Sequence, residues 1–520
     1  MFHQFRFPNF FALLLTIASV IGTVECSFAQ KSVEILNSDL LEMKETSEGK
    51  MKTLSGNVVL KQDDVLLYCD NADFTDWDNS VFAKGAVKVK QGDSITLYCN
   101  ELTYFGNTKK LIASKNVRLE KGKSTLLTNK LDYDLNTKTG WYSNGGKLIN
   151  DSTLLLSESG NYFASSGDAY FYRNVKVTNP TYTLNADTFR FNMEQKVNYF
   201  LGPTHITVDT NKIYCESGSY NLKNGAGLFI KHATFENRSQ FITGDTIGIN
   251  KSDGTGFVNG KGTLTDKVQH IDLMARHIRL QNATEQLLAY DDAWLKLQAD
   301  RDSIYIHADT LFTNRIQTVR TLTDSLQKQN YQDTVENRFL RAWHKVILYN
   351  HSFQAVCDSA TYFTADSVFR LFTQPLLWID SSQLSADTIY IFQQHKAIHH
   401  LKLIQHAFIA SHVQAYLYNQ LSGKIITGYL SQNKLQAIQV NGTAKSIYFS
   451  EDEGHAFAGI NKIASSNMKL LFEDGAVSQI RFYGQPEAAF SPLKHYPKAD
   501  MYFKEFNWQA AKRPTLPALK

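Results

Sequence analysis

The sequence predicts an all-β chain, elongated and repetitive, made of bent and mostly antiparallel strands in repeats of about 29 residues. Three observations predict it. One small side chain recurs at a nearly constant spacing. Apolar residues flank it with a period of two that changes phase at the small position. Two turn signals separate successive copies.

The small position is clearest in "TLYCNELTY" (96–104), where Cys99 sits mid-strand in a chain with only five cysteines. Its copies are Cys69, Cys99, Thr128, Ser157, Ala186, Cys215, Gly244 and Cys357, and the same spacing reaches Ser38, Ala275, Ala308, Ala386, Ala415 and Ala444. Eight of the twelve intervals from Cys69 to Ala444 are 29 residues, so the cysteines act as one more small side chain beside Ala, Ser, Thr and Gly. Successive slots on antiparallel strands have a return strand between them, about 10 Å apart and beyond disulfide reach, which predicts free, buried thiols.

Two residues before the slot the chain is apolar, at Leu67, Leu97, Leu126, Leu155, Leu184, Ile213 and Ile242. Three after it come Leu102, Leu131, Phe189 and Ile247, and five after it the aromatics Phe74, Tyr104, Tyr133, Tyr162, Phe191 and Tyr220. Alternation of period two buries one face of a strand, and the change of phase requires a bend at the slot, where crowded inner faces admit only a small residue. The residue after the slot is Asp, Glu or Asn in ten of the thirteen copies from Cys69 onward, as suits side chains that satisfy groups at a backbone distortion. The inward positions make either a continuous apolar trough, open to acyl chains worth about 0.8 kcal/mol per buried CH2, or the filled core of a passive β-solenoid.

Turn signals such as "KQGD" (90–93) and "FGNTKK" (105–110) alternate about 14 residues apart, which favours strands that reverse over the coils of a parallel β-helix. The repeat occupies residues 30–455, read as one domain or as two stacked modules, about 30–250 and 251–455. The 49-residue interval from Ala308 to Cys357 holds a polar insertion near 314–340, expected as a protruding loop or short helix. Residues 456–520 read as a divergent segment with a frayed, proline-containing tail.

Residues 1–29 read as a secretory leader cut after about Ala29: Arg6 precedes the apolar "FALLLTIASVIGTV", and Ser27-Phe28-Ala29 are suited to cleavage. Glu25, where a lipoprotein has a small residue, argues against lipid attachment at Cys26. Such a leader predicts export of the mature chain. No other apolar run reaches the roughly 20 residues of a spanning helix. A formal charge of +4, spread along the chain, gives no footprint for nucleic acid.

Phrases such as "LSGNVVLKQDDVLLYCDNADF" and "VFAKGAVKVKQGDSITLYCNELTY" resemble the OstA/LptA type of lipopolysaccharide-transport protein, with its recurrent G-x-V strand and small-Asp corner. The resemblance is clearest from about residue 32 to 250. It implies a V-shaped β-jelly-roll whose apolar groove carries acyl chains across the periplasm, stacked end to end with similar modules of inner- and outer-membrane partners. The seventeen inward residues named above would then line the lipid groove, with lipopolysaccharide or a related lipid as client.

Other chemistry is thin. "HKAIHH" (395–400) could bring His395, His399 and His400 toward a metal, but neighbours in a strand face opposite sides. No Ser/His/Asp set, phosphate-binding glycine loop or CxxC motif stands at useful spacing, so no catalytic residue, cofactor or metal is assigned.

Overall fold

The computed structural model describes residues 32–515 apart from 93–94, 164, 299–302, 324–329, 395–396, 432–433, 452–455 and 474–475; the side chains of 318–335 and 476 are also left out. The predicted leader, with Cys26, and His395 lie outside the described residues.

Among the described residues the chain forms 36 β-strands and four short 3-10 turns, and each strand pairing is antiparallel. No helix among them is long and apolar enough to cross a membrane. The chain falls into two compact units, one ending at Gly122 and the other beginning at Lys123. In the first, Gly49–Gln62, Val65–Thr75, Ser80–Gln91, Ile95–Phe105 and Lys110–Lys121 follow one another as a meander. Each strand bends halfway, so the sheet folds onto itself and its two arms face each other across the core, the jelly-roll architecture the sequence predicts. The second unit repeats this plan around one apolar core that runs from Leu155 to Leu470.

The bend is a bulge with a fixed chemistry. On one strand two successive residues take left-handed backbone angles, as at Gly85 and Ala86 (φ 75° and 42°), Arg173 and Asn174 (58° and 49°), Lys231 and His232 (60° and 51°) and His344 and Lys345 (60° and 53°). The neighbouring strand places one residue, the acidic or amide residue after the slot, opposite each pair, so the register slips there. The slot residue then faces the one that follows the pair: Val58 with Cys69, Val87 with Cys99, Val175 with Ala186, Ala233 with Gly244 and Val346 with Cys357. The G-x-V strand and the small-Asp corner are thus two halves of one device. The corner acids also reach the paired residues through side chains, Glu158 to Arg173 at 3.0 Å, Glu216 to His232 at 2.9 Å and Asp387 to His406 at 3.0 Å, and Glu101, one residue beyond its corner, reaches Lys115 at 2.7 Å. These pairs stand in solvent, where water screens them and they add little, so the small slot and the backbone turn, not the charges, set the bend.

At Gly85 a side chain would suffer twice. Its φ is positive, and a Cβ would lie 2.3 Å from Asp70 Oδ2. Gly85→Ala should therefore cost about 1–3 kcal/mol in chemical denaturation. An Asp70→Ala background should restore part of that loss, and strict additivity of the two changes would refute the contact as its source.

The four cysteines among the described residues are unpaired, with Cys69, Cys99 and Cys215 buried and Cys357 half-buried. Burial pushes each thiol up to about 12. Folded chains thus hold them neutral at pH 7–9, and alkylation should await unfolding. From about pH 9 toward 12 the unfolded chain ionises its thiols first, so their contribution to stability is lost as pH rises through that window. Iodoacetamide adducts counted by mass spectrometry test this, since rapid labelling of native protein at pH 8 would contradict it.

Three expectations are corrected. In its described residues the insertion is strand rather than loop or helix: Ile304–Thr323 and Asn330–Tyr349 form an extended antiparallel pair, in register as far as Thr323 with Asn330. Backbone pairing overrides its helical composition. Ala415 does not occupy a bend; it is exposed in a turn with φ 48°, and Gly423, opposite Ala407, takes that corner. Ala444 sits on the other half of the device, directly after Gly442 and Thr443.

Of the tail expected to fray, residues 512–515 are held in place and 516–520 lie outside the described residues. Residues 493–515 run as a strap across the outer face of the second unit. Three glutamines, Gln354, Gln383 and Gln420, all at most 5% exposed, hold it. Gln420 donates to Met501 O (2.9 Å) and accepts from Phe503 N (2.9 Å), and Gln383 donates to Asn507 O and accepts from Gln509 N, both 2.7 Å. Gln354 accepts from Arg513 Nε at 2.7 Å. Each of the first two amides copies the donor and acceptor of a backbone partner. Met501 is buried with Leu417, Ile447, Phe449 and Ile460.

Candidate functional site

Bent arms leave a seam where their tips meet, and its chemistry differs along the chain. In the first unit it is closed. Tyr104, five residues after the slot, donates from its hydroxyl to Gln62 Oε1, and Gln62 Nε2 donates to Gly106 O at 3.1 Å. Lys109 pairs with Asp63 at 2.6 Å across the same gap. The space left among Leu60, Leu67, Val81, Leu102, Tyr104 and Leu111 is about 10 Å³.

At the start of the second unit the interior is filled by rings. Phe171, Phe189, Phe200 and Phe229 stack in series at centroid distances of 6.2, 6.4 and 6.1 Å. They share one inner row of cross-strand neighbours, which continues through Ile247, Val258, Ile278, Ala289, Leu311, Ala342 and Ala360. Gly218 stands between Phe200 and Phe229 and leaves room for their rings to meet, while further along the row Ala289, Ala342 and Ala360, with Leu311 among them, replace the rings. A cavity of about 780 Å³ opens over the same strands.

Its walls are apolar: Leu264, Leu273, Leu295 and Leu297 from one arm, Leu280, Leu287, Leu311, Leu340 and Tyr362 from the other. Apart from Thr313 on one wall, polar groups stand at the mouth, in two rows. On one side Gln240 donates to Asp266 (3.3 Å), whose other oxygen caps Val268 N and Gln269 N. On the other, Glu285 accepts from both Arg315 and Arg338, and Arg338 N donates to Thr364 Oγ1 at 2.8 Å. These bonds run along each row, whereas the Tyr104–Gln62–Gly106 bonds of the first unit cross the seam. The volume lies within the range, about 300–1,000 Å³, of pockets that take one small amphiphile or part of a large one.

The inward residues predicted as groove lining fall into two sets. Leu67, Phe74, Leu97, Leu102, Tyr104, Leu131, Tyr133, Leu155, Leu184, Phe189, Ile242 and Ile247 are buried; Leu126, Tyr162, Phe191, Ile213 and Tyr220 are half-buried. None of the seventeen is among the side chains around the 780 Å³ cavity, which belongs to residues 239–364. Of the small slots, Cys69, Cys99, Ser157, Ala186, Cys215 and Gly244 are buried, while Thr128 and Cys357 are half-buried.

The pattern that names the cavity was in the repeat. Five residues after the slot the aromatic is replaced by Ile249, Leu280 and Thr313 in three successive copies, and Leu280 and Thr313 line the opening. His399 and His400 stand Nδ1 to Nδ1 at 2.9 Å, and His400 stacks on Phe392 at 3.9 Å. Among the described residues no three metal-binding side chains converge.

No curated protein matches the chain. Among solved structures, the crystal structure of LptH, described as the LptA-homologous periplasmic component of the lipopolysaccharide transport device of Pseudomonas aeruginosa, aligns at 12% identity. It covers 20% of this chain and 79% of its own, with a TM-score of 0.19. The family model described as OstA-like protein matches residues 30–187. Through that stretch, with its G-x-V strands and small-acid corners, the chain is similar to that family.

Proposed function

We propose that the protein is a periplasmic lipid-binding bridge that carries lipopolysaccharide, or a related lipid, toward the outer membrane with its acyl chains in the open seam. The observation that carries this reading is the 780 Å³ cavity with leucine-rich walls and most of its polar groups gathered at the mouth. The OstA-like stretch and the resemblance to lipopolysaccharide-transport proteins support the choice of client. Where the seam is closed, in residues 32–122, the inward residues serve as core and favour the second reading, a structural β-solenoid, for that unit alone.

The sheet edges support docking to similar modules. Leu40–Thr46 pairs with Gly49–Gln62 and exposes Leu40, Leu41 and Met43 by 54, 45 and 65%. At the other terminus Glu487–Pro492 exposes Phe490 by 60%. Among the described residues both strands leave one edge unpaired but carry charge (Glu42, Lys44 and Glu45 on the first, Glu487 on the second), and the second ends in Pro492, so docking would rest on these exposed apolar side chains rather than on strand addition. Displacement of a fluorescent fatty acid from the purified chain by lipopolysaccharide tests the client: displacement that needs acyl chains is expected, and equal displacement by deacylated lipopolysaccharide would contradict it.

A further inference from the structure

The strands that wall the cavity carry a second concavity on their opposite face, of about 610 Å³, lined by Ile316, Phe339, Arg341, Trp343, Ser359, Thr361, Phe363, Arg370 and Phe372. Its plan follows from register. Arg341 pairs with Thr361 and Thr361 with Arg370, which lays a guanidinium, a hydroxyl and a guanidinium in one cross-strand row. Phe339 pairs with Phe363 on one side of that row; on the other, Trp343 pairs with Ser359 and Ser359 with Phe372. A polar stripe thus runs between two aromatic walls. The four rings are half-buried against one another and the stripe, on a face that contributes nothing to the core.

Charge is unequal along the stripe. Arg370 is paired with Asp366. Arg341 is exposed, lies over the rings of Phe339 and Trp343 at 5.4 Å each, and faces no carboxylate within ion-pair distance among the described residues. The strands beneath are bonded on both sides, so no free edge is offered to an added peptide strand. Recognition must come from the side chains: rings that accept the apolar face of a flat cyclic ligand, hydroxyls that bond to its hydroxyls, and one unpaired guanidinium that takes an anionic group bidentately.

We propose that this basin is a second binding site, for an acidic oligosaccharide whose sugar rings lie against Trp343 and Phe339 and whose carboxylate or phosphate pairs with Arg341. The site stands apart from the lipid reading, since its ligand needs no acyl chain and its residues line the opposite face.

Trigalacturonate, with maltotriose as the neutral control, tests it on the full mature chain by calorimetry and tryptophan fluorescence. Trigalacturonate should bind at least tenfold more tightly than maltotriose and perturb the tryptophan emission. Arg341→Gln, at an exposed position that leaves the fold intact, should cost at least tenfold, and Trp343→Leu should remove the fluorescence change. No binding of trigalacturonate, equal affinity for the neutral sugar, indifference to Arg341→Gln, or equal saturation by a short polyglutamate peptide would each overturn the assignment. Fatty-acid binding by the same samples reports separately on the seam.

Discussion

A chain carrying Leu280→Tyr and Thr313→Tyr keeps its fold and loses most of its affinity for acyl chains. Both positions stand five residues after a slot, where Tyr104, Tyr133 and Tyr220 occupy other copies, so the backbone already accommodates the larger ring. Leu280 and Thr313 are half-buried on the wall of the cavity, and two phenol rings there fill space that four or so methylenes would otherwise take. At about 0.8 kcal/mol per methylene the loss is about 3 kcal/mol, or some two orders of magnitude in affinity. Titration with a fluorescent fatty acid measures it. Thermal unfolding should stay near the parent value, because the rings add at least as much apolar contact as the lost Leu280 and Thr313 side chains gave up. An unchanged affinity would show that lipid does not enter between these arms.

Removing residues 493–520 is the second large effect, on stability. The strap covers a row of cross-strand neighbours on the outer face, Gln354, Trp378, Gln383, Ala410, Gln420 and Ile447. All six are at most 5% exposed. Without it three buried amides lose partners, at about 1–3 kcal/mol each where water does not replace them, and Ile447 and Phe449 face solvent. Met501→Ala alone should cost about 2–5 kcal/mol. Truncation should therefore lower the unfolding temperature markedly and create binding of a hydrophobic dye, while Lys504→Ala, on the exposed side of the strap, should do neither. A truncated chain as stable as its parent would show the strap to be ornamental.

What the sequence disclosed, and what it withheld, follows from which interactions are local. The bend was legible because its parts lie within a few residues of each other: a small slot, an acid after it, and apolar positions whose phase changes. The strand reversal was legible from turns at fixed spacing. The strap was not, because Gln354, Gln383 and Gln420 look like ordinary polar residues until a segment more than 80 residues away supplies Met501, Phe503, Asn507 and Gln509. The strand pair at 304–349 was misread because polar composition says little about strands that pair with each other beyond the rest of the sheet.

The seam lies between these cases. Inward residues were readable one copy at a time, but whether they leave room depends on volume compared along the whole row, Phe171 to Phe229 against Ala289 to Ala360. The three missing aromatics at Ile249, Leu280 and Thr313 announced the opening, and only the arms brought face to face give that absence its meaning.

The most direct measurement places a photoreactive amino acid singly at Leu287, Leu295 and Leu311, on the walls of the open seam, and at Leu97 and Leu102, inside the closed one, in cells that make lipopolysaccharide. Adducts bearing lipopolysaccharide at the first three positions and none at the last two are predicted. Adducts at none of the five, or equally at all, would contradict a lipid path confined to the stretch where the closing rings are absent.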